Sequence, residues 1–511
     1  MANTTYELRQ PAPNTDLNIT TDQEERDLSM ECLNNSISQK PKEFPSLAAE
    51  CAFICTCSMG QLMFAMHLSN AFINQLTLVE ALGIGGAATP WLIGSFLVAN
   101  GVSVVISGSL ADLISPKWMV LISFTWITAW NLIGFFSVTP SRMVLFFVSR
   151  SMSGCAVGTL CSAAMSMLGR VYKPGIRKNR VFAAMGAMIP MGFAVGALQG
   201  GAFSSHLQWI FGSTAILSAA CVVLAYWCIP HLATDSLGIR QFDVAGAAAG
   251  MAGSGLVIFG LTQGAPTHWT PYTYALVIVG IGILALFGFI ESRVERPLID
   301  NRLWSTPGFL PLMISYFLGY GGYCGGWQFY AVRFLLTTQG KSPIITACCL
   351  IPIGVAGTLA SWVVGRLLHV VPGHIILLSS MIAFALGPVF FLPQTSDTVY
   401  WSMSFPGFVL STFGPDMSFA ATSVFITSSV PKTYQGAAGS LLITAQNLST
   451  AVMAAVGDTI GSKVTQSMSF TMDLSALRAI WWFSFAVCML GAILCSSFVR
   501  IPKSEEKEHL V

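Results

Sequence analysis

Charge is what this sequence has least of. Only 9% of its 511 residues are Asp, Glu, Lys or Arg, where a soluble chain carries roughly 25%. Hydrophobic residues make up 54%, and the mean hydropathy is +0.67. A soluble globular protein of this size is excluded, and an all-α polytopic membrane protein in contact with the lipid bilayer is expected. Neither sign of charge is in excess, with 25 Lys and Arg against 23 Asp and Glu. Without a basic surplus to neutralise phosphates, nucleic acid is not an expected partner.

Other absences narrow the chemistry. The nearest approach to a Walker loop, Gly340-Lys341-Ser342, has Leu335 where the first glycine should stand. Gly280-Ile-Gly282-Ile-Leu-Ala285 mimics a dinucleotide fingerprint but lies inside an apolar run with no strand before it. His-Glu-x-x-His and Gly-x-Ser-x-Gly do not occur. Nucleotide hydrolysis and enzyme catalysis therefore have no motif to carry them, and no cofactor or metal is expected. All the cysteines but Cys32 fall in apolar stretches, so no disulfide framework is expected either. Residues 1–45 are polar, with Asp22, Glu24, Glu25 and Asp27 clustered, and lack the basic start and apolar core of a signal peptide. They read as a disordered cytosolic tail. On that side the sequons at Asn3, Asn18 and Asn34 would stay unglycosylated.

Long apolar runs are what the sequence does have. A helix needs about 20 apolar residues to cross the hydrocarbon core, and fourteen stretches qualify between 47–69 and 479–499, the ninth at 308–331 and the twelfth at 400–428. Nineteen of the 25 Lys and Arg then fall on the side of the N-terminus, which places both termini in the cytosol. Arg142, Arg333, Lys341, Lys463 and Arg478 would lie outside, and Arg150 within a span. The stretch Gly108-Ser-Leu-Ala-Asp112-Leu-Ile-Ser-Pro-Lys117 follows the second span, and Gly365-Arg366-Leu367-Leu368-His369 follows the tenth. The two come into register if the seventh and eighth spans are an insertion. The expected organisation is a tail at 1–45, a six-span bundle at 46–230, two inserted spans at 231–291, a cytosolic connector at 292–306, a second six-span bundle at 307–500 and a cytosolic tail at 501–511. Such paired bundles are a transporter architecture.

Several residues stand out against this apolar background. Gly108 permits close helix approach, while Asp112 at a helix end and Lys117 beyond it suit a latch with two settings. Arg150, inside the fourth span, must face a cavity or a partner. Gly192, Gly196 and Gly200, spaced by four and followed by Gly201, give the fifth span one smooth face. Asp416, near the middle of the twelfth span with no adjacent cation, suits a group that gains and loses a proton, alone or in alternating pairing with Arg150. Tyr316, Tyr320, Tyr323 and Trp327 follow spacings of four, three and four, which place them on one face. Facing a cavity, their rings and hydroxyls would hold a polarised organic solute, with Gln446, Asn447, Asn70, Asn74 and His67 as further polar candidates.

The Gly108–Lys117 stretch resembles the loop signature of the major facilitator superfamily, with Ser-Pro in place of the usual Gly-Arg. Arg150-Ser-Met-Ser-Gly154-Cys-Ala-Val-Gly158 is similar to that family's fourth-span signature, with Ser153 in place of Gln. Gly192–Gly201 resembles the antiporter signature of proton-driven exporters, with Ala197 in place of Pro. Tyr172-Lys-Pro-Gly175-Ile-Arg177-Lys178-Asn179 and Gly186-Ala-Met-Ile-Pro190-Met-Gly192 look like the fungal aminotriazole-resistance subgroup of the fourteen-span drug:proton antiporters. The resemblance covers 47–500. It implies a monomeric, proton-coupled efflux pump for a small toxic organic compound, a secondary metabolite or xenobiotic, working by alternating access in the plasma membrane, with the vacuolar membrane as the alternative. It also implies coupling through Arg150. Two other readings stay open: a facilitator or exporter of a small solute such as borate or ammonium, and a receptor built on a transporter fold.

Overall fold

The computed structural model describes residues 44–85, 89–172, 176–230, 242–265, 267–294, 297–299, 301–430, 435–465 and 472–501. The expected tails, up to residue 43 and from 502 onward, lie outside them, as does most of 231–243. Every regular element among the described residues is helical. The helices are α1 Leu47–Ile73, α2 Gln75–Leu82, α3 Trp91–Leu113, α4 Pro116–Phe135, α5 Met143–Val171, α6 Ile176–Ala202, α7 Gln208–Cys228, α8 Val244–Gly264 and α9 Pro271–Glu291. They continue with α10 Phe309–Gly321, a π-helical segment Gly322–Gln328, α11 Phe329–Thr337, α12 Pro343–Val370, α13 Gly373–Phe391, α14 Ser404–Ser429, α15 Gln435–Thr465 and α16 Leu474–Phe498. Among the described residues twelve helices are long and apolar enough to cross a membrane. The chain is thus a multi-pass membrane protein, because only closed hydrogen-bonding structures of this kind are stable in hydrocarbon.

Local signals explain where these helices begin and end. The Ser46 hydroxyl accepts from the Ala49 amide at 3.1 Å, and Asp243 caps α8 by accepting from the Gly246 amide at 2.8 Å. Each satisfies an N-terminal donor that the helix itself leaves free. Pro116, Pro271 and Pro343 open α4, α9 and α12, a position where the missing amide costs nothing. Gly83 ends α2 in the left-handed region, at φ +63°, which glycine adopts without a Cβ clash. Some hydroxyls inside the helices fold back onto carbonyls four residues earlier, as Thr56 does on Ala52 and Thr125 on Leu121, which satisfies a donor that water cannot reach.

Helix packing repeats along the chain. In the first half α1 lies on α6 and α7, α3 on α5, and α4 on α5 and α7. In the second, α10 lies on α15 and α16, α12 on α14, and α13 on α14 and α16. The halves meet along two seams, α3 against α15 and α6 against α12, while α8 and α9 pair with each other and α8 also touches α3 and α15. The outer surface is apolar, with Val144, Trp227 and Trp362 largely exposed.

The run from Phe309 to Thr337 departs from the expected ninth span. It continues past 331, because Phe334-Leu335-Leu336 resume the apolar pattern, and it carries the π segment midway. Arg333, expected in an outside loop, is instead buried inside α11 with 1% of its surface exposed. It is a structural cation and not a topology marker.

Candidate functional site

Polar side chains converge where the two halves face each other. Gln446 and Asn447 are neighbours on α15, and their amides reach in different directions. The Tyr316 hydroxyl donates to Gln446 Oε1 at 2.9 Å, and Gln446 Nε2 donates to the Tyr320 hydroxyl at 2.8 Å. Asn447 Nδ2 donates to Asn100 Oδ1 at 2.8 Å, and Asn100 Nδ2 to the Gly154 carbonyl at 3.2 Å. Two hydrogen-bonded groups therefore meet at adjacent residues of α15, one joining it to α10 within the second half and the other to α3 and α5 across to the first. All these side chains are buried, where polar groups are costly unless paired.

Aromatic rings extend the first group along α10 and the π segment. Tyr316 stacks on Tyr320 at 5.8 Å, Tyr320 meets Tyr323 at 6.4 Å, and Tyr323 meets Trp327 at 5.5 Å. Trp327 completes a triangle of rings with Phe391 and Phe408, at 5.4 and 5.5 Å, and its indole N–H has no partner among the described residues. Asp416, on α14, accepts from the Ser361 hydroxyl of α12 at 2.8 Å and lies on the same side of the second half as Tyr320 and Tyr323. No cation pairs with it among the described residues.

Arg150 is held elsewhere, within the first half. Its Nη1 and Nη2 donate to the His67 carbonyl at 3.3 and 3.2 Å, and Nη2 also donates to the Leu92 carbonyl at 2.8 Å. The guanidinium sits 5.4 Å from the centre of the Phe96 ring, on which His67 stacks at 5.1 Å. The structure thus does not bring Arg150 and Asp416 together. Arg150 ties α5 to α1 and α3 through carbonyls that a single ammonium cannot span. Arg150→Lys is expected to lower stability by about 1–3 kcal/mol, read as a fall in the thermal midpoint of the nanodisc-embedded protein.

The remaining singled-out residues shape helix seams. An added Cβ at Gly192, Gly196 or Gly200 would run into α1, and one at Gly201 into Ile344 and Ala347 of α12. Asn70 lies in this packing and not in the aromatic cluster, with its Nδ2 donating to Gln199 Oε1 at 2.8 Å. Asn74 donates to the Gly200 carbonyl at 3.0 Å. Gly108 faces Ser440 of α15. Lys117 donates to the Tyr226 carbonyl at 3.2 Å, which joins α4 to α7. The side chain of Asp112 lies outside the described residues.

Residues 53–454 match the Major Facilitator Superfamily. The chain belongs to that family. A relative from Saccharomyces cerevisiae, "Low affinity ammonium transporter", is 31% identical over 93% of each chain. "Efflux pump terJ" from Aspergillus terreus is 27% identical over 89% of this chain and 88% of its own. "Aminotriazole resistance protein" from Saccharomyces cerevisiae is 26% identical over 91% and 88%. The protein is accordingly a Major Facilitator transporter and not an enzyme, with fungal efflux proteins among its relatives.

Three buried groups of this Major Facilitator chain escape the sequence reading. Glu50, on α1, accepts from Arg177 Nε and from the Tyr172 hydroxyl, both at 2.9 Å. Hydrogen bonding to Glu50 pushes the Arg177 pKa up, and burial together with the same carboxylate pushes Tyr172 up. This knot ties α1 to the end of α5 and the first turn of α6. Arg333 and Asp458 form the second and third, an ion pair at 3.4 Å. Asp458 lies within the expected thirteenth span, 438–462, where an ionisable residue is itself the signal.

Proposed function

We propose that this transporter is a proton-coupled efflux pump that exports a small organic compound by alternating access. The observation that carries the proposal is Asp416: a half-buried carboxylate whose described partner is a hydroxyl, beside tyrosines that Gln446 bridges. A carboxylate so placed is costly in its charged form, so proton uptake and release there can be tied to which solute occupies the adjoining space. Relatives named as an efflux pump and as an aminotriazole resistance protein favour the outward direction.

The repeated packing supports two six-helix bundles, 46–230 and 307–500, with 231–291 as an inserted pair and 292–306 as connector. On this reading the chain crosses the membrane fourteen times. The two spans beyond the twelve apolar helices are the broken run Phe309–Thr337 and α14, whose polar side chains belong to the site. Both termini are cytosolic and the protein works as a monomer in the plasma membrane. The Gly108, Asp112 and Lys117 stretch serves as a latch between states. The second reading, a carrier of a small solute, is favoured by the relative named as a low affinity ammonium transporter.

Inside-out vesicles holding the purified protein distinguish the two readings. Under an imposed pH gradient, acid inside, they are offered labelled aminotriazole, a panel of organic metabolites, methylammonium and borate. Efflux predicts accumulation of an organic compound that collapses when a protonophore is added. Uptake confined to methylammonium or borate and indifferent to the gradient would select the small-solute reading.

A further inference from the structure

Helix α11 is wedged between the two halves at one end of the molecule. On its first turn the Phe329 carbonyl accepts from Gln75 Nε2 of α2 at 3.4 Å, and the Phe329 ring meets Phe72 of α1 edge-on at 5.2 Å. The next residue turns the other way: the Tyr330 hydroxyl donates to the Ala454 carbonyl of α15 at 2.7 Å and to Asp458 Oδ1 at 3.4 Å. One turn later Arg333 does both. Its Nη1 lies 3.4 Å from Asp458 Oδ1 in the second half, and its Nη2 donates at 3.1 Å to the Thr89 hydroxyl in the first half. Thr89, Arg333 and Asp458 are all buried.

A buried guanidinium is held in place only by its partners, and here they sit on opposite sides of the seam. The α6–α12 seam is closed at the same end, where Gly201 abuts Ile344 and Ala347. Upstream of α11, the π segment Gly322–Gln328 holds Gly322, Gly325 and Gly326. A π-helical bulge is a common place for a helix to change direction.

We propose that Arg333 is the gate pin of this end of the transporter. It stays paired with Asp458 throughout the cycle, and it releases Thr89 when the halves part, with α11 moving together with α15. The inference rests on alternating access, and under the orientation above the gate is the outer one.

Hydrogen–deuterium exchange on the full-length protein in nanodiscs tests this without any transported solute, so its outcome is independent of whether the efflux reading stands. Thr89→Val removes the Thr89 hydroxyl as an acceptor across the seam and leaves the Arg333–Asp458 pair intact. Backbone amides of Gln75–Leu82 and Phe329–Thr337 should then exchange about tenfold faster, while those of α13 keep the wild-type rate. Thr89→Ser, which keeps the hydroxyl, should exchange as the wild type does. Thr89→Ala replaces the valine variant if that protein does not fold. Wild-type rates at both gate segments would overturn the proposal, as would equal acceleration in α13 or fast exchange in Thr89→Ser.

Discussion

Gly196→Leu is expected to prevent recovery of folded protein, whereas Gly186→Leu on the same helix should be recovered at the wild-type level. A Cβ at Gly196 would lie 2.5 Å from the Met66 Cα and 2.8 Å from the Met66 carbonyl oxygen, and nothing stands within 4 Å of one at Gly186. The Ser69 hydroxyl, which is nearer still, could rotate away, but the Met66 atoms are backbone and cannot. Relief would require α6 to withdraw from α1, but the two are tied near one end by Glu50 and Arg177 and near the other by Asn70 and Gln199. Overpacking a tight seam costs roughly 1–3 kcal/mol where it can relax, and this one is restrained at both ends. Net stabilities are only about 5–15 kcal/mol. Leucine is the better helix former by under about 1 kcal/mol, so propensity would favour both variants and cannot separate them. Size-exclusion profiles of fluorescently tagged variants give the answer. Equal monodisperse peaks would mean that close approach is not what the glycine provides.

The helices were legible because their signals are local. An apolar run of about 20 residues, a proline at the first turn and a Ser or Asp cap can each be read without knowing what lies opposite. Arg333 was misplaced for a related reason, since the polar residues after 337 look like the start of a loop and one cation near a span end is normally a flank. Phe334-Leu335-Leu336 was the signal that the helix had not yet ended. Asp458 should have been found by the same rule that picked out Asp416, because it too is a carboxylate inside an apolar run. What no local pattern carries is the partner. The carbonyls that hold Arg150 come from His67 and Leu92, on two other helices, and backbone acceptors leave no mark on a sequence. The tyrosines show the boundary well: their spacing implies a shared face, but only the fold shows Gln446 bridging Tyr316 and Tyr320. The π segment was equally hidden, since its glycines read as ordinary small residues.

Asp416→Asn is expected to abolish gradient-driven accumulation in the vesicle assay, leaving it at the level of vesicles without protein, while solute binding changes only a few-fold. Asparagine has nearly the same shape, and its Oδ1 can still accept from the Ser361 hydroxyl, so the α12–α14 contact and the folded state should survive. What it cannot do is carry a proton. In the wild type, accumulation should rise as the vesicle interior is made more acid, because protons leaving through Asp416 are exchanged for solute entering. The asparagine variant should show a flat response over the same range. Asp416→Glu, which restores the carboxyl one methylene further out, should recover part of the pH-dependent transport, and Ser361→Ala should retain most of it. A merely structural role for Asp416 predicts the reverse order, with asparagine tolerated and the longer glutamate disruptive. Gradient-driven accumulation by Asp416→Asn with the wild-type pH response would remove the carboxylate from the coupling mechanism. The buried Asp458 would then be the next acid to test, and the gate pinned by Arg333 would become a candidate for the coupling site itself.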